Sequence, residues 1–287
     1  MFNFFKFIPE ILGQLLLFIY DNIAFHHYGL AIIIFTVIVK VALLPLTIKQ
    51  QKSSAKMQEL QPLMQEIQRK YKNDREKQSQ EMMKLYQEHK YNPASGCLPL
   101  LFQMPILFSL FYVIKEPFTY MFNLSAEKLE ALKKSAVVGK GLYWQLEVPS
   151  NKAQEILNLK FQMEEIIGPV KFNLAKIPSW NPSVLFGSEM STYLPLFLIP
   201  VLAIVTTYLS TKMMAAKVNK TSQKDENDTA AAMQKNMMLM APLMTGFISF
   251  QAPAALGLYW LVGNLFQIIQ QLFLNKFIIK KKEVKIE

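Results

Sequence analysis

The residues in this 287-residue chain that could do chemistry are polar groups set in apolar surroundings. Lys40 lies between Val37-Ile38-Val39 and Val41-Ala42-Leu43-Leu44. A lysine at the centre of a membrane-spanning helix costs about 2.5–3.5 kcal/mol. Snorkelling is the simplest relief, but at helical rise the next lysine, Lys49, lies roughly 13 Å further along. That depth favours a polar cavity around Lys40. Thr36 and Thr47 share its helical face. Downstream, Trp260, Asn264, Gln267 and Gln271 recur at four, three and four residues, a polar stripe on an otherwise apolar helix. Gln103 lies within Leu100-Leu101-Phe102-Gln103-Met104-Pro105, and Thr206, Thr207 and Ser210 cluster near the end of another apolar run. Together they predict a wet, cationic recess. No acidic residue falls within any apolar run, so a carboxylate for Lys40 would have to come from outside the chain.

Other chemistry finds no residues. GxSxG, HExxH and paired intramembrane aspartates are absent. Cys97 is the only cysteine, so an intrachain disulfide is excluded and no Cys/His set suggests a metal. No cofactor is expected. Ile11–Tyr20 is followed by Asp21-Asn22 rather than a small-residue cleavage site, which argues against a cleaved signal peptide.

The elements that must carry these groups are membrane helices. Hydrophobic residues make up 52% of the chain and mean hydropathy is +0.18. From Asn236 to Asn275 forty residues pass without Asp, Glu, Lys or Arg, enough for two spans of about 20 residues. Pro253 should divide them, since proline removes a donor and disfavours helix before it. Five spans are drawn: Gly29–Ile48, Cys97–Ile114, Thr192–Thr211, Asn236–Phe250 and Ala254–Asn275. Residues 1–28 form an N-terminal segment whose amphipathic helix either lies at the interface, the preferred reading, or adds a sixth span.

Charge orients the chain. Net charge is +10. Ten Lys/Arg fall in Lys49–Gly96, five in Lys212–Lys235 and five in the tail from Lys276 (residues 276–287), all on one side of a five-span chain. The positive-inside rule makes that side cytoplasmic and the C-terminus internal. Positive loops account for the basic pI more simply than RNA binding, and no sequence-specific nucleic-acid binding is expected. The first loop, 49–96, reads as two amphipathic helices, Met57–Tyr71 and Met82–His89, joined at Asn73-Asp74, with Pro62 expected to kink the first. Thr221–Thr229 reads as a flexible polar loop, and Met233–Met244 either as an adaptable contact surface or as ordinary packing. The external segment, about 119–191, is nearly neutral and its fold is open.

These residues also carry a resemblance. An Ile48–Gln58 block (IKQQKSSAKMQ), LQPLMQEIQ, NPASGCLPLLFQMPI and PAALGLYWLVGNLFQIIQQ, in that order, resemble the YidC-type bacterial membrane insertases across residues 28–117 and 192–276. The resemblance implies an all-α polytopic fold in a bacterial plasma membrane. Five core helices would surround a hydrophilic groove closed on the outside, with a cytoplasmic helical hairpin. It implies an insertase and membrane chaperone, not an enzyme, acting on nascent membrane proteins in contact with lipid, with the ribosome, targeting machinery and Sec translocon as further partners. Lys40 stands where an arginine is usual, which keeps the charge but loses the planar fork. The resemblance implies Lys40, Gln103, Trp260 and Asn264 as groove residues, and the helical faces and polar spacing add Thr36, Thr207 and Gln267 to the expected set.

Overall fold

A computed structural model describes residues 2–92, 94–135, 142–146, 148, 150–157, 164–167, 170–215 and 229–274. In chain order the helices are α1 (Phe2–Asn22), α2 (Tyr28–Ala42), α3 (Leu44–Lys70), α4 (Arg75–Glu88), α5 (Ala94–Lys115), α6 (Pro117–Tyr120), α7 (Ala126–Ser135) and α8 (Ser150–Leu157). After strands β1 (Glu164–Ile167) and β2 (Val170–Asn173) come α9 (Pro182–Leu185), α10 (Met190–Ala215), α11 (Thr229–Ser249) and α12 (Ala254–Leu274). Among the described residues the architecture is helical, as expected, apart from one antiparallel hairpin within residues 119–191 that pairs Glu164 with Asn173. The basic tail from Lys276 and the Thr221–Asp228 stretch lie outside the described residues.

The uncharged forty-residue run divides where proline requires it. α11 ends at Ser249 and α12 begins at Ala254, immediately after Pro253. α10 packs on α11 and α12, α12 also packs on α2, α2 packs on α1, and α1 packs on α5. α10 is long and apolar enough to cross a membrane over Met190–Met213. Its outward face presents Leu198, Leu202, Val205 and Leu209, spaced by four, three and four, while Leu196, Ile199, Ala203 and Thr206 are buried. One apolar stripe therefore faces away from the bundle and a mixed one faces in.

The first span departs from the expected Gly29–Ile48. α2 stops at Ala42 and α3 begins at Leu44, turned by 60°. Pro45 explains the position: it sits in the first turn of α3, where a missing N–H costs nothing, whereas in a helix continued from α2 it would lose the bond to the Val41 carbonyl and its ring would crowd that carbonyl. α3 then runs without a break through Pro62 to Lys70, so the first helix of the hairpin grows directly out of the bend. Asp74 caps α4 by accepting from the Lys77 N–H at 3.0 Å. The Lys84–Glu81 pair on α4 is 2.7 Å long, but the Lys84 side chain is largely exposed, so it adds little to hold the hairpin.

α1 is more deeply engaged than a helix resting on a surface. Leu16, Ile19 and Tyr20 are fully buried in the core shared with α2 and α5, while Phe7, Ile11 and Phe18 remain exposed. Gly13 permits this seat, because a Cβ there would stand 2.1 Å from the Tyr120 carbonyl oxygen. One residue on, Gln14 Nε2 donates to the Met121 carbonyl at 3.0 Å.

The segment of residues 119–191, expected to be external, contributes to the bundle core in its described part. Leu132, Leu146, Ala153 and Leu174 belong to the same buried core as α2 and α12. Just past β2, the carbonyls of Leu174 and Lys176 accept from the Ala255 and Ala254 N–H groups, both at 3.0 Å. Two of the four donors that a helix start leaves open are satisfied in this way. The N-terminal end of α12 is thereby tied to the stretch that follows β2.

Candidate functional site: a lysine seated on a glycine between two helices

The bend at Leu43 changes what surrounds Lys40. Lys40 lies in the last turn of α2, not midway along a straight twenty-residue helix. The carbonyls at a helix C-terminus carry partial negative charge and favour a cation by about 0.3–1 kcal/mol, more when partly buried. The local backbone therefore offsets part of the cost that made this lysine conspicuous.

α12 offsets another part by making room. Gly263 is buried, and a Cβ placed on it would stand 3.3 Å from Lys40 Cε and 3.7 Å from Nζ. The lysine stem thus lies against bare backbone, and its half-buried ammonium ends beside α12. Among the described residues no carboxylate or hydrogen-bond acceptor pairs with it. Gly263 was missed from sequence, although a glycine in an apolar helix is a signal in itself, since it costs about 1 kcal/mol relative to alanine.

Asn264, the next residue, turns to the other neighbour of α12. Its Nδ2 donates to Thr207 Oγ1 at 2.7 Å and also reaches the Ala203 carbonyl at 3.3 Å and Thr206 Oγ1 at 3.4 Å. Thr207 in turn donates to the Ala203 carbonyl at 2.7 Å. Asn264 and Thr207 thus form a polar bracket that holds α12 to α10.

Nearly two turns further along α12, buried Gln270 donates through Nε2 to Thr47 Oγ1 at 2.9 Å. Thr47 sits in the first turn of α3, so this bond ties α12 to the helix that leaves the bend. Gln51, one turn further along α3, has a buried side-chain oxygen without a partner. Gln270 was not among the expected groove residues, although it adjoins the predicted stripe.

The remaining expected residues are placed as follows. Thr36 is fully buried, and its hydroxyl donates to the Ile32 carbonyl at 2.6 Å. Its polar atom is thus used within α2. Trp260 is half-buried against the hydrophobic core, and Gln267 is half-buried on α12. Gln103 lies on α5, its side chain outside the described part. The structure therefore brings Lys40, Gly263, Asn264, Thr207, Gln270 and Thr47 around one helix, α12, which α2, α3 and α10 flank.

Known proteins match the chain almost throughout. The family model described as 60Kd inner membrane protein matches residues 18–282. The chain belongs to that family. It is a membrane protein, and its curated relatives carry the name membrane protein insertase YidC. The relative from Clostridium perfringens is 36% identical over 257 residues, covering 89% of this chain and 81% of the relative. That from Caldanaerobacter subterraneus is 34% identical over 265 residues, covering 92% of each. In Geobacter metallireducens the match is 30% identical over 88% of this chain but covers 34% of a longer relative. Among solved structures, an active YidC insertase with its first transmembrane domain resolved aligns with a TM-score of 0.49 and 25% identity, over 92% of this chain and 45% of that one.

Proposed function

We propose that the chain is a membrane protein insertase that receives a hydrophilic client segment beside Lys40 and releases the client's apolar segment into lipid. The observation that carries this reading is the Lys40 ammonium, seated on Gly263 in the last turn of α2 with no acidic partner among the described residues. A cation left without an internal counter-charge is suited to a transient acidic one, such as an Asp or Glu in a client tail. The outer end supports passage from one side: the external segment contributes to the core and caps α12, so the recess would open inward. The reaction makes and breaks no covalent bond.

In this reading five spans cross a bacterial plasma membrane, with the N-terminal helix at the outer face and the C-terminus in the cytoplasm. The α3–α4 hairpin would receive clients on the cytoplasmic side, either from the ribosome and targeting machinery or alongside the Sec translocon. Client apolar segments would leave along the α2, α10 and α12 surfaces. Water in the recess shortens the hydrocarbon that a polar tail must cross.

Reconstitution tests the proposal directly. A radiolabelled single-span client should insert into proteoliposomes that contain only this protein and reach protease protection. Protein-free liposomes should give background insertion. Equal insertion in both would refute the activity. Deleting Lys56–Tyr91 with a short linker should lower insertion while leaving the remaining helices folded, and undiminished insertion would remove the receiving role of the hairpin.

A further inference from the structure

The external segment exposes apolar side chains that neither the core nor the proposed groove uses. Between β2 and α10 the chain leaves and re-enters the bundle at nearly one point. Lys176 Nζ stands 3.4 Å from Glu189 Oε2 and 5.0 Å from the centre of the Tyr193 ring, so both ends of the excursion are pinned beside the first turn of α10. The Lys176 carbonyl also caps α12. Within the excursion Pro178 and Leu185 are buried and form its inner side. Asn181 Oδ1 accepts from the Ser183 N–H at 3.0 Å and starts the one-turn helix α9. That order makes the outward side chains a fixed feature: Trp180 is 79% exposed, Phe186 71%, and Ile177 and Met190 are about half exposed.

We propose that residues 177–186 anchor the external segment in the outer leaflet, with Trp180 and Phe186 at the boundary between headgroups and acyl chains. The occupant is a lipid surface because of where this apolar patch lies. It adjoins the start of α10, against which α9 packs, and the outward side of α10 carries an apolar stripe of its own through Leu198, Leu202, Val205 and Leu209. Amphipathic aromatic rings concentrate at that depth, where the apolar ring meets lipid and the indole N–H meets water. The Lys176–Glu189 pair neutralises the nearest charges, so the anchor needs no particular headgroup charge. By holding this excursion against the leaflet, the anchor would fix the outer end of α12, which Leu174 and Lys176 cap. The inference goes beyond the insertase activity and rests on that reading in taking α10 as a span and residues 119–191 as external.

Depth-resolved quenching of tryptophan fluorescence tests it in the full-length chain reconstituted into liposomes. The Trp180 signal is the difference between the wild-type protein and Trp180→Phe, which leaves Trp144 and Trp260 in place. The difference spectrum should be blue-shifted and quenched most by lipids brominated near the headgroup end of the chain. Lipids brominated near the chain end and aqueous acrylamide should quench it less. Quenching by acrylamide with no effect of brominated lipid would place the loop in water and overturn the anchor. A signal that neither reaches would mean the patch is covered by protein, and would overturn it as well. Leu202→Trp, in the outward stripe of α10, should be quenched by deeply brominated lipid. If it is quenched and Trp180 is not, the anchor alone fails. If neither is quenched by lipid, the span assigned to α10 fails with it.

Discussion

Lys40 crosses the α2–α12 interface over Gly263, its Cε lying 3.3 Å from where a glycine-to-alanine change would place a methyl carbon. That spacing is tighter than most methyl contacts. The position of the charge is therefore set by an absence on the neighbouring helix as much as by the lysine itself.

Substitutions at Gly263 should grade with size. Gly263→Ala gains about 0.5–1 kcal/mol of helix propensity and asks the flexible lysine stem to move by a few tenths of an ångström, so folding and activity should be nearly kept. Gly263→Leu fills the space of the stem and should displace the ammonium, with insertion falling by tenfold or more, on the order of 1.4 kcal/mol or above. Insertion assays on both variants, with thermal unfolding as the control for folding, check this. Equal activity of the leucine variant would detach function from the seam.

Changes at Lys40 itself should depend on the client. A charge pair at about 4 Å is worth about 4 kcal/mol at an effective dielectric near 20, and water and desolvation will leave a fraction of that. Lys40→Ala should therefore slow insertion of acidic-tailed clients on the order of tenfold and neutral-tailed clients less. Lys40→Arg should retain activity, since Arg keeps its charge and offers a bidentate fork. Lys40→Glu should be worst for acidic tails. The measurement is insertion of one client carrying acidic, neutral and basic tails in the three variants, and an alanine variant indifferent to tail charge would remove the electrostatic role.

The Thr47–Gln270 bond should be a coupled pair. Removing one partner leaves a buried polar group unsatisfied, at about 1–3 kcal/mol, whereas replacing both with apolar groups costs less than the sum. Thr47→Val and Gln270→Leu should each lower the unfolding midpoint in detergent, and the double variant should lie close to the worse single one. Spin labels on α4 and α12 should also show a broader distance distribution once the bond is lost. Additive effects would mean that the two residues act separately.

Asn264 should act through packing. Polar contacts between membrane helices average about 0.6 kcal/mol, and Asn264→Leu breaks a bracket of three acceptors, so a loss of about 1–2 kcal/mol of stability is expected. Because its Nδ2 points into the α10 seam, Asn264→Cys, in a background with Cys97 replaced, should react with an impermeant thiol reagent more slowly than Lys40→Cys. The reverse order of labelling rates would open that seam to water.

Much of this was legible in the sequence because membrane helices write their limits in charge and proline. Pro253 gave the α11–α12 break, and the runs of lysine marked the ends of the apolar stretches. The polar stripe on α12 was visible too, but periodicity could not say which neighbour each residue meets. Asn264 faces α10, whereas Gly263 and Gln270 face α2 and α3. Nor could periodicity say what Thr36 bonds, because a helical threonine can satisfy its hydroxyl on the carbonyl one turn back, which leaves the sequence pattern unchanged. The larger miss was Pro45. Read as part of one apolar run, Gly29–Ile48 placed Lys40 at mid-helix, and the early bend puts it at a helix end. The external segment was opaque because its order comes from contacts far apart in sequence, such as the Leu174 carbonyl with the Ala255 N–H.

The unbroken course of α3 also makes it a mechanical arm. Its 27 residues span about 40 Å at 1.5 Å per residue, with the fulcrum at Leu43, one turn from Lys40, and the free end at Lys70. A swing of about 5° at the fulcrum carries the far tip by roughly 3–4 Å over that length. Small strains around Lys40 are thus geared up into displacements of the hairpin, and a load on the hairpin is geared down into leverage on the site.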